Sequence, residues 1–237
     1  MNASFAIVRG AGEESSLPLK IHNPRWTRVD RYLEDLLPPD PVLDAAVKAS
    51  AEAGLPDIAV TPMQGKFLHL LAKMQGARRI LEIGTLGGYS TIWLARALPK
   101  DGQLVTLEAD ATHANVAREN IARAGLSTLV EQRLGPALET LPKLTGPFDF
   151  IFIDADKENA AEYFDWSVRL SRAGTAIVVD NVIREGAVVK PRAHDTASRG
   201  IHAMNEAIRI NPRVSATTIQ TVGRKGYDGF LLARVID

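Results

Sequence analysis

From Arg79 to Val179 the chain alternates short apolar runs with longer segments of helical periodicity, which restricts the folds open to it. The apolar runs have the length of strands and lie at residues 79–83, 103–107, 129–134, 148–153 and 175–179. The helical segments between them lie near residues 88–98, 111–124, 136–143 and 158–171. This alternation is typical of βαβ units, which form parallel sheets. Several runs are continuously apolar, as expected where helices cover both faces of a sheet.

The flanking segments predict further helices and a terminal hairpin. Residues 1–20 are rich in glycine, serine and glutamate without periodicity, so residues 1–24 are expected to form a flexible arm. Helices are expected at residues 26–37, 42–49, 62–74 and 196–210. Asp40 and Pro41 are the N-cap and first residue expected for the second of them. Residues 182–198 predict a loop, and residues 214–222 and 229–235 predict an antiparallel pair of strands.

These elements predict one α/β domain over residues 25–237. We expect a doubly wound, mostly parallel, seven-stranded sheet of Rossmann-like type, with helices on both faces and a C-terminal antiparallel hairpin. The helical segment at the N-terminus is expected to roof the site of a substrate. Its apolar faces at residues 26–37 and 42–49 would also suit a homodimer, or would simply fold onto the domain.

Composition excludes several classes of function. The 237 residues include no cysteine, which excludes disulfides, thiolate chemistry and cysteine-based zinc sites. Lys and Arg number 28, as do Asp and Glu, so no global field directs the chain to nucleic acid or to an anionic membrane. No signal peptide and no apolar stretch of transmembrane length is visible. We therefore expect a cytoplasmic, soluble protein.

A glycine-containing turn follows the first strand of the alternating region. Ligands of open α/β sheets bind beyond the carboxyl ends of the strands, where glycine lets backbone approach them. Thr85 occupies the second position of Gly84-Thr85-Leu86-Gly87-Gly88, where a dinucleotide site would have glycine. Glu82 precedes the turn and would repel phosphate but suits an ammonium group. The pattern favours a cofactor that carries an amino acid, and disfavours an NAD(P)-dependent oxidoreductase, the alternative.

The next strand ends in a second acidic residue. Glu108 lies twenty-four residues after Gly84, and a carboxylate at the end of the second strand suits the two hydroxyls of a ribose. The alternative is that Glu82 and Glu108 are both solvated charges at strand ends.

Carboxylate and carboxamide side chains end two further strands. Asp154 ends the fourth strand, and Asp180 and Asn181 end the fifth, twenty-six residues later. One βα unit separates them, so adjacent parallel strands would bring all three side chains to one edge of the sheet. Without a thiol or imidazole nearby, these oxygens form a ligand set for a hard cation such as Mg²⁺, with Mn²⁺ or Ca²⁺ as other candidates. The alternative is that the aspartates or Asn181 cap the helices that follow.

Five ordered motifs resemble one family, over about residues 25–235. They are "LEIGTLGGYSTIWLA", "LEAD", "GPALETLP", "FIDADKENAAEYF" and "VVDNV". Together they are similar to the cation-dependent O-methyltransferases that use S-adenosylmethionine, which include the catechol and caffeoyl-coenzyme A methyltransferases and their bacterial relatives. The resemblance implies the class I methyltransferase fold and methyl transfer to a hydroxyl of a small aromatic acceptor with two adjacent hydroxyls. A non-catalytic S-adenosylmethionine-binding regulatory protein is the second alternative.

The resemblance also implies roles for individual residues. The metal would be held by Asp154, Asp180 and Asn181, and Lys157 would exchange the proton of the acceptor hydroxyl. Glu82 would hold the methionine ammonium and Glu108 the ribose. The other residues placed at the cofactor are Val60, Gly84, Thr85, Ser90, Ala137, Asp154 and Asp156. For Lys157 the alternative is a surface lysine, or one paired with Asp154 or Glu158.

The chain departs from its relatives at three places near these motifs. Relatives often have tyrosine where this chain has Ala160, and the nearest tyrosine is Tyr163. Many have tryptophan at the position of Arg184. The Gly-Asp-Gly that usually precedes the last strand reads "GYDG" here, from Gly226 to Gly229, with one residue inserted. The identity of the acceptor is therefore left open.

Overall fold

The computed structural model describes residues 23–237, so the arm predicted for residues 1–24 lies almost wholly outside the described residues. Eight α-helices are described: α1 Pro24–Glu34, α2 Pro41–Glu52, α3 Pro62–Met74, α4 Tyr89–Ala95, α5 Ala111–Arg123, α6 Ala137–Thr140, α7 Ala160–Arg169 and α8 Thr196–Arg209. Seven strands are described: β1 Arg79–Ile83, β2 Gln103–Glu108, β3 Val130–Leu134, β4 Phe148–Ile153, β5 Ser171–Asp180, β6 Val214–Gly223 and β7 Gly226–Val235.

The strands form one mixed sheet in the order β3-β2-β1-β4-β5-β7-β6. The first five strands are parallel, β7 runs antiparallel to β5, and β6 and β7 form the predicted hairpin. The order reverses between β1 and β4, which is the position where ligands bind in doubly wound sheets. The predicted fold class is confirmed.

Alternate side chains of the parallel strands enter two separate cores, one on each face of the sheet. Ile83 and Ile153 belong to the core that includes α7 and α8. Ile80 and Phe152 belong to the core that includes α2, α3, α4 and α5. Because both faces are covered, the strands could be continuously apolar, as their sequence predicted.

The caps of the N-terminal helices come from their own sequence. The Asp40 carboxylate accepts the backbone N–H of Leu43 at 3.2 Å and Pro41 opens α2, as predicted. Helix α1 begins at Pro24, two residues before the prediction, and none of its residues is fully buried. It packs beside β6 and α3.

Two predicted elements differ from the structure near the sheet edge that carries the motifs. The helix expected from residue 158 starts as a 3-10 turn at Lys157–Asn159, and α7 follows. The loop expected over 182–198 contains a 3-10 segment at Arg184–Val189, and three of its residues have left-handed backbone: Arg184 with φ 56°, Glu185 with φ 55° and Gly186 with φ 82°. Sequence periodicity cannot register such short turns. Within residues 23–237, no helix is long and apolar enough to cross a membrane.

Candidate active site

The carboxyl ends of β1, β2, β4 and β5 bring the predicted site residues to one edge of the sheet. Ile83 pairs with Leu107 on one side and with Ile153 on the other, and Ile153 pairs with Val179. The next residue on each strand is therefore at the same level. These residues are Gly84, Glu108, Asp154 and Asp180. The predicted adjacency of the two aspartates is confirmed.

Glu82 lies beneath this edge rather than on it. Its side chain has no solvent exposure, and three hydroxyls donate to its carboxylate. Ser90 donates to Oε1 at 2.7 Å, Thr106 donates to Oε2 at 2.7 Å, and Thr91 also donates to Oε2. Burial raises the pKa of Glu82 to about 7, although the three hydroxyls act in the opposite direction. The carboxylate thus ties β1 to β2 and to the first turn of α4.

Glu108 connects the end of β2 to the glycine turn. Its Oε2 accepts the backbone N–H groups of Thr85 at 3.2 Å and Leu86 at 2.8 Å, and its Oε1 accepts that of Asp110 at 3.0 Å. The side chain of Thr85 points inward, 2.6 Å from the hydroxyl of Thr106. The Thr85 hydroxyl is therefore engaged inside the protein.

Gly84 brings the glycine turn against the end of β4. Its φ is 98°, a backbone conformation that residues with a side chain rarely adopt. A Cβ on Gly84 would lie 2.2 Å from the carbonyl oxygen of Asp154. The turn and the strand end that carries Asp154 are therefore in direct contact, which no residue larger than glycine would permit.

Two carboxylates and one ammonium lie together at the ends of β4 and β5. The Lys157 Nζ lies 2.8 Å from Asp154 Oδ1, so the ion pair weighed as an alternative from sequence is present. Asp180 is 6% exposed, and its Oδ1 accepts the backbone N–H of Asn181 at 2.8 Å. Asn159, and not Asp154, occupies the N-cap position of α7, and no helix follows Asp180 directly. The capping alternative therefore does not describe these aspartates.

The two carboxylates of this cluster repel each other. Burial is the main cause that raises the pKa of Asp180 to about 7, and the nearby charge of Asp154 raises it further. Lys157 acts in the opposite direction without compensating them. Two carboxylates that repel each other in this way suit an added cation.

The residues present fit a divalent metal ion. Asp154 and Asp180 supply carboxylate oxygens from adjacent strand ends, and Asn181 directly follows Asp180. This donor set has the hard oxygen ligands of Mg²⁺ sites, which usually retain water as well. Within residues 23–237, no group of three or more histidines, cysteines, aspartates or glutamates is placed to hold a metal. A site here therefore depends on the carboxamide of Asn181 as the third protein ligand.

The other predicted cofactor residues lie around the same edge. Val60 is buried just before α3, and Ala137 is half-buried at the start of α6. Asp156 is exposed, and the Tyr163 hydroxyl donates to its Oδ1 at 2.5 Å. Tyr163 is itself buried, on α7. A tyrosine hydroxyl therefore lies at the turn that carries Asp156, although this chain has alanine at position 160, where relatives often have tyrosine.

Sequence analysis did not identify two side chains at this site. The side chain of Gln64 on α3 lies near enough to Asp180, 116 residues along the chain, to lower the pKa of that carboxyl by hydrogen bonding. Lys225, at the turn between β6 and β7, donates to the carbonyl oxygen of Ala59. Burial lowers the pKa of Lys225, while Asp57, Asp154 and Asp180 act in the opposite direction. No local pattern marks either residue, because tertiary packing alone brings them to the aspartates.

The fold and the site together define a class I methyltransferase. The profile of the O-methyltransferase family matches residues 38–236. The chain therefore belongs to the O-methyltransferase family.

Individual relatives agree with this assignment. The catechol O-methyltransferase of Niastella koreensis is 53% identical over 220 residues, which cover 91% of this chain and 100% of that protein. The crystal structure of an O-methyltransferase from Bacillus cereus in complex with SAH is 55% identical, with a TM-score of 0.87 over 89% of this chain and 98% of that one. The structure of TomG from Streptomyces achromogenes, in complex with SAM, is 50% identical, with a TM-score of 0.88 over 92% and 100% of the two chains.

The expectation of an O-methyltransferase enzyme from the ordered motifs is confirmed by this family membership. The same finding decides against the NAD(P)-dependent oxidoreductase. The roles of individual site residues stay predictions.

Proposed function

We propose that the protein transfers a methyl group from S-adenosylmethionine to one hydroxyl of a small catechol-like acceptor, and that transfer depends on a divalent cation. The observation that carries the proposal is the placement of Asp154 and Asp180 beside each other, in contact with the glycine turn. Asp154 connects the proposed cofactor site to the proposed metal site. Its carbonyl oxygen lies against Gly84 of the glycine turn, and its carboxylate belongs to the cluster with Lys157 and Asp180. A methyl donor and an acceptor bound at these two sites would be neighbours.

The cofactor would lie along the edge formed by β1 and β2. Glu108 at the end of β2 would accept the ribose hydroxyls, and Gly84 would leave room for the methionine end. Ala137 and Val60 flank the same edge on two sides. Support comes from the relatives of at least 50% identity that were solved with SAH or SAM.

Lys157 would hold and move the proton of the acceptor hydroxyl at its Nζ. Its side chain is only 10% exposed, and the 2.8 Å contact with Asp154 fixes the Nζ at the edge of the cluster. When bound, the cation would supply positive charge that lowers the pKa of a nearby acceptor hydroxyl. The chain's own contribution would be to align the acceptor with the donor and to receive the proton, which general acid–base groups do at close range.

The proposal is tested by methyl transfer to caffeic acid, followed by mass spectrometry. With S-adenosylmethionine and Mg²⁺ we expect a product heavier by one methylene group, and we expect excess EDTA to abolish it. p-Coumaric acid, which lacks the second hydroxyl, is the matched control acceptor and should give no product. Product that persists in EDTA would contradict the cation dependence. SAH binding without product from any vicinal diol would favour a regulatory protein.

Replacement of Glu108 by Gln should weaken SAH binding at least tenfold. The amide loses the charge that suits the ribose hydroxyls, and its NH₂ faces backbone donors that the carboxylate now accepts. Hydrogen bonds to charged groups contribute about 1.5–3 kcal/mol, and 1.4 kcal/mol is about tenfold in affinity. Titration calorimetry with SAH measures the change. Glu119→Gln, on the exposed side of α5, is the control and should bind like the wild type.

The assembly and location of the protein stay predictions. A homodimer would use the outer face of α1, where Val29, Tyr32 and the following Leu36 are exposed. Analytical ultracentrifugation decides between a monomer and a dimer. The cytoplasmic location follows from the sequence expectation alone.

A further inference from the structure

The loop that follows β5 carries Asn181 and has an unusual backbone. Three residues with side chains adopt left-handed φ angles within five positions: Asn181 at 57°, Arg184 at 56° and Glu185 at 55°. Such conformations cost about 1–3 kcal/mol each unless the surroundings hold them. Some contact outside the loop must therefore stabilise this shape.

Asp228, near the start of β7, makes that contact. Its Oδ1 accepts the backbone N–H of Ile183 at 2.9 Å and that of Arg184 at 3.1 Å. The same oxygen accepts the N–H of Gly229 at 2.9 Å, which fixes the orientation of the carboxylate. Three backbone donors on one charged oxygen are stronger than neutral hydrogen bonds of the same number.

Neighbouring residues complete this attachment of the loop to β7. The N–H of Val182 donates to the carbonyl oxygen of Gly229 at 3.1 Å, and the N–H of Tyr227 donates to the carboxylate of Glu185 at 3.1 Å. A Cβ on Gly229 would lie 2.7 Å from the Ile183 side chain and 2.3 Å from the Ile219 carbonyl oxygen. The close approach that brings Asp228 to the loop therefore requires glycine at position 229.

We infer that Asp228 is a positioning residue for the metal site, because its carboxylate holds the strained loop in the shape that presents Asn181 beside Asp180. This inference rests on the proposed metal-dependent function. Asp228 is not one of the three proposed metal ligands. Without it, the loop would relax to ordinary backbone angles and shift the backbone that positions Asn181. The residue inserted in "GYDG", Tyr227, is accommodated because its N–H also joins the loop.

The test measures Mn²⁺ binding without turnover, by electron paramagnetic resonance of free Mn²⁺ in the presence of SAH. Removal of residues behind metal ligands commonly weakens affinity by about 10–100-fold. For Asp228→Ala we expect Mn²⁺ affinity to fall at least tenfold, while SAH affinity changes less than threefold. For Asp228→Asn, which keeps an accepting oxygen without the charge, we expect a fall of about threefold to tenfold.

Asp149→Ala is the matched control. The Asp149 carboxylate also accepts two backbone N–H groups, those of Arg78 and Arg79 at 2.9 Å each, but at the opposite end of β4. Its loss should lower the melting temperature and leave Mn²⁺ affinity within twofold. This control distinguishes a general loss of stability from a specific effect on the position of the metal ligands. If Asp228→Ala does not fold, Asp228→Asn carries the test alone.

The outcomes distinguish failure of the inference about Asp228 from failure of the proposed metal-dependent function. If Asp228→Ala folds and binds Mn²⁺ like the wild type, the inference is overturned and the proposed metal site stands. If Asp228→Ala is unfolded, wild-type Mn²⁺ affinity in Asp228→Asn has the same consequence. An equal fall in Asp149→Ala overturns the inference too, since any loss of stability would then suffice. A wild-type protein that binds no Mn²⁺ overturns the proposed metal function itself, and the inference with it.

Discussion

Replacement of Lys157 by methionine is expected to lower kcat for methyl transfer about a hundredfold or more, with SAH binding unchanged. General acid–base groups contribute about 10²–10⁴-fold to rate, and the proposal gives this task to the Lys157 Nζ. Methionine keeps the length and apolar stem of lysine, so the packing of this nearly buried side chain should survive. The change therefore tests the amine rather than the volume.

The local structure makes this variant interpretable. Lys157 lies in a tight 3-10 turn against α8, where a Cβ on Gly200 would lie 2.2 Å from the Lys157 carbonyl oxygen. Backbone packing thus holds the turn independently of the ammonium. Loss of the ammonium also leaves Asp154 without its 2.8 Å partner, so Mn²⁺ affinity should stay equal or increase. A structural ion pair and a proton carrier therefore predict different results.

The measurements for Lys157→Met are kcat, SAH affinity by calorimetry and Mn²⁺ affinity. Lys100→Met, at an exposed lysine that follows α4, is the control and should retain wild-type turnover. A kcat within threefold of the wild type would remove Lys157 from the mechanism. A low kcat together with much weaker Mn²⁺ binding would instead mean that the lysine supports the site rather than the reaction.

The strand ends were the part of the site that sequence could predict. Asp154 and Asp180 each follow a continuous apolar run, and parallel strands with one intervening helix place such residues side by side. The observed pairing of Ile153 with Val179 supports this logic directly. The rule needs only the period of a strand and the direction of the chain, both of which are local.

The contacts that shape the site could not be predicted in the same way. Sequence placed Glu82 at a cofactor ammonium, but its burial under three hydroxyls depends on the packing of α4 and β2 against β1. The loop that follows Asn181 is held by Asp228, which accepts the backbone N–H groups of Ile183 and Arg184. Gln64 reaches Asp180 only because α3 packs beside the sheet. Each of these contacts joins segments that are far apart in the chain, so no local sequence pattern predicts them.

Replacement of Glu82 by Gln is expected to remove a pH dependence of stability worth about 3 kcal/mol. In the unfolded chain the carboxyl titrates near its ordinary pKa of 4.5, whereas burial raises the pKa in the folded protein to about 7. Between these values the folded protein keeps the proton that the unfolded chain has lost. Rising pH therefore favours unfolding from about pH 4.5 to about pH 7, and has no further effect above it. Each pKa unit corresponds to about 1.4 kcal/mol, which gives the stated magnitude.

The measurement is the free energy of unfolding in urea at several pH values from 4.5 to 8, for the wild type and Glu82→Gln. Titration of all other groups is common to both proteins, so only their difference matters. The wild type should lose about 3 kcal/mol relative to the variant across this range. Glu119→Gln, at an exposed carboxylate, should follow the wild type. A difference that stays constant within 1 kcal/mol would show that Glu82 is ionised in the fold at every pH tested.

The same variant decides what Glu82 does for the cofactor. If the carboxylate faces the methionine ammonium, bound SAH stabilises the ionised form, and SAH affinity must rise with pH between 6 and 8 by linkage. That rise should disappear in Glu82→Gln. If Glu82 only ties β1 to α4 and β2 through Ser90, Thr91 and Thr106, SAH affinity in the wild type should be flat over this interval. The carboxylate is wholly buried and already accepts hydrogen bonds from three hydroxyls, so the structure favours an SAH affinity that does not change with pH. An SAH affinity that rises with pH would support the contact with the methionine ammonium that the sequence predicted.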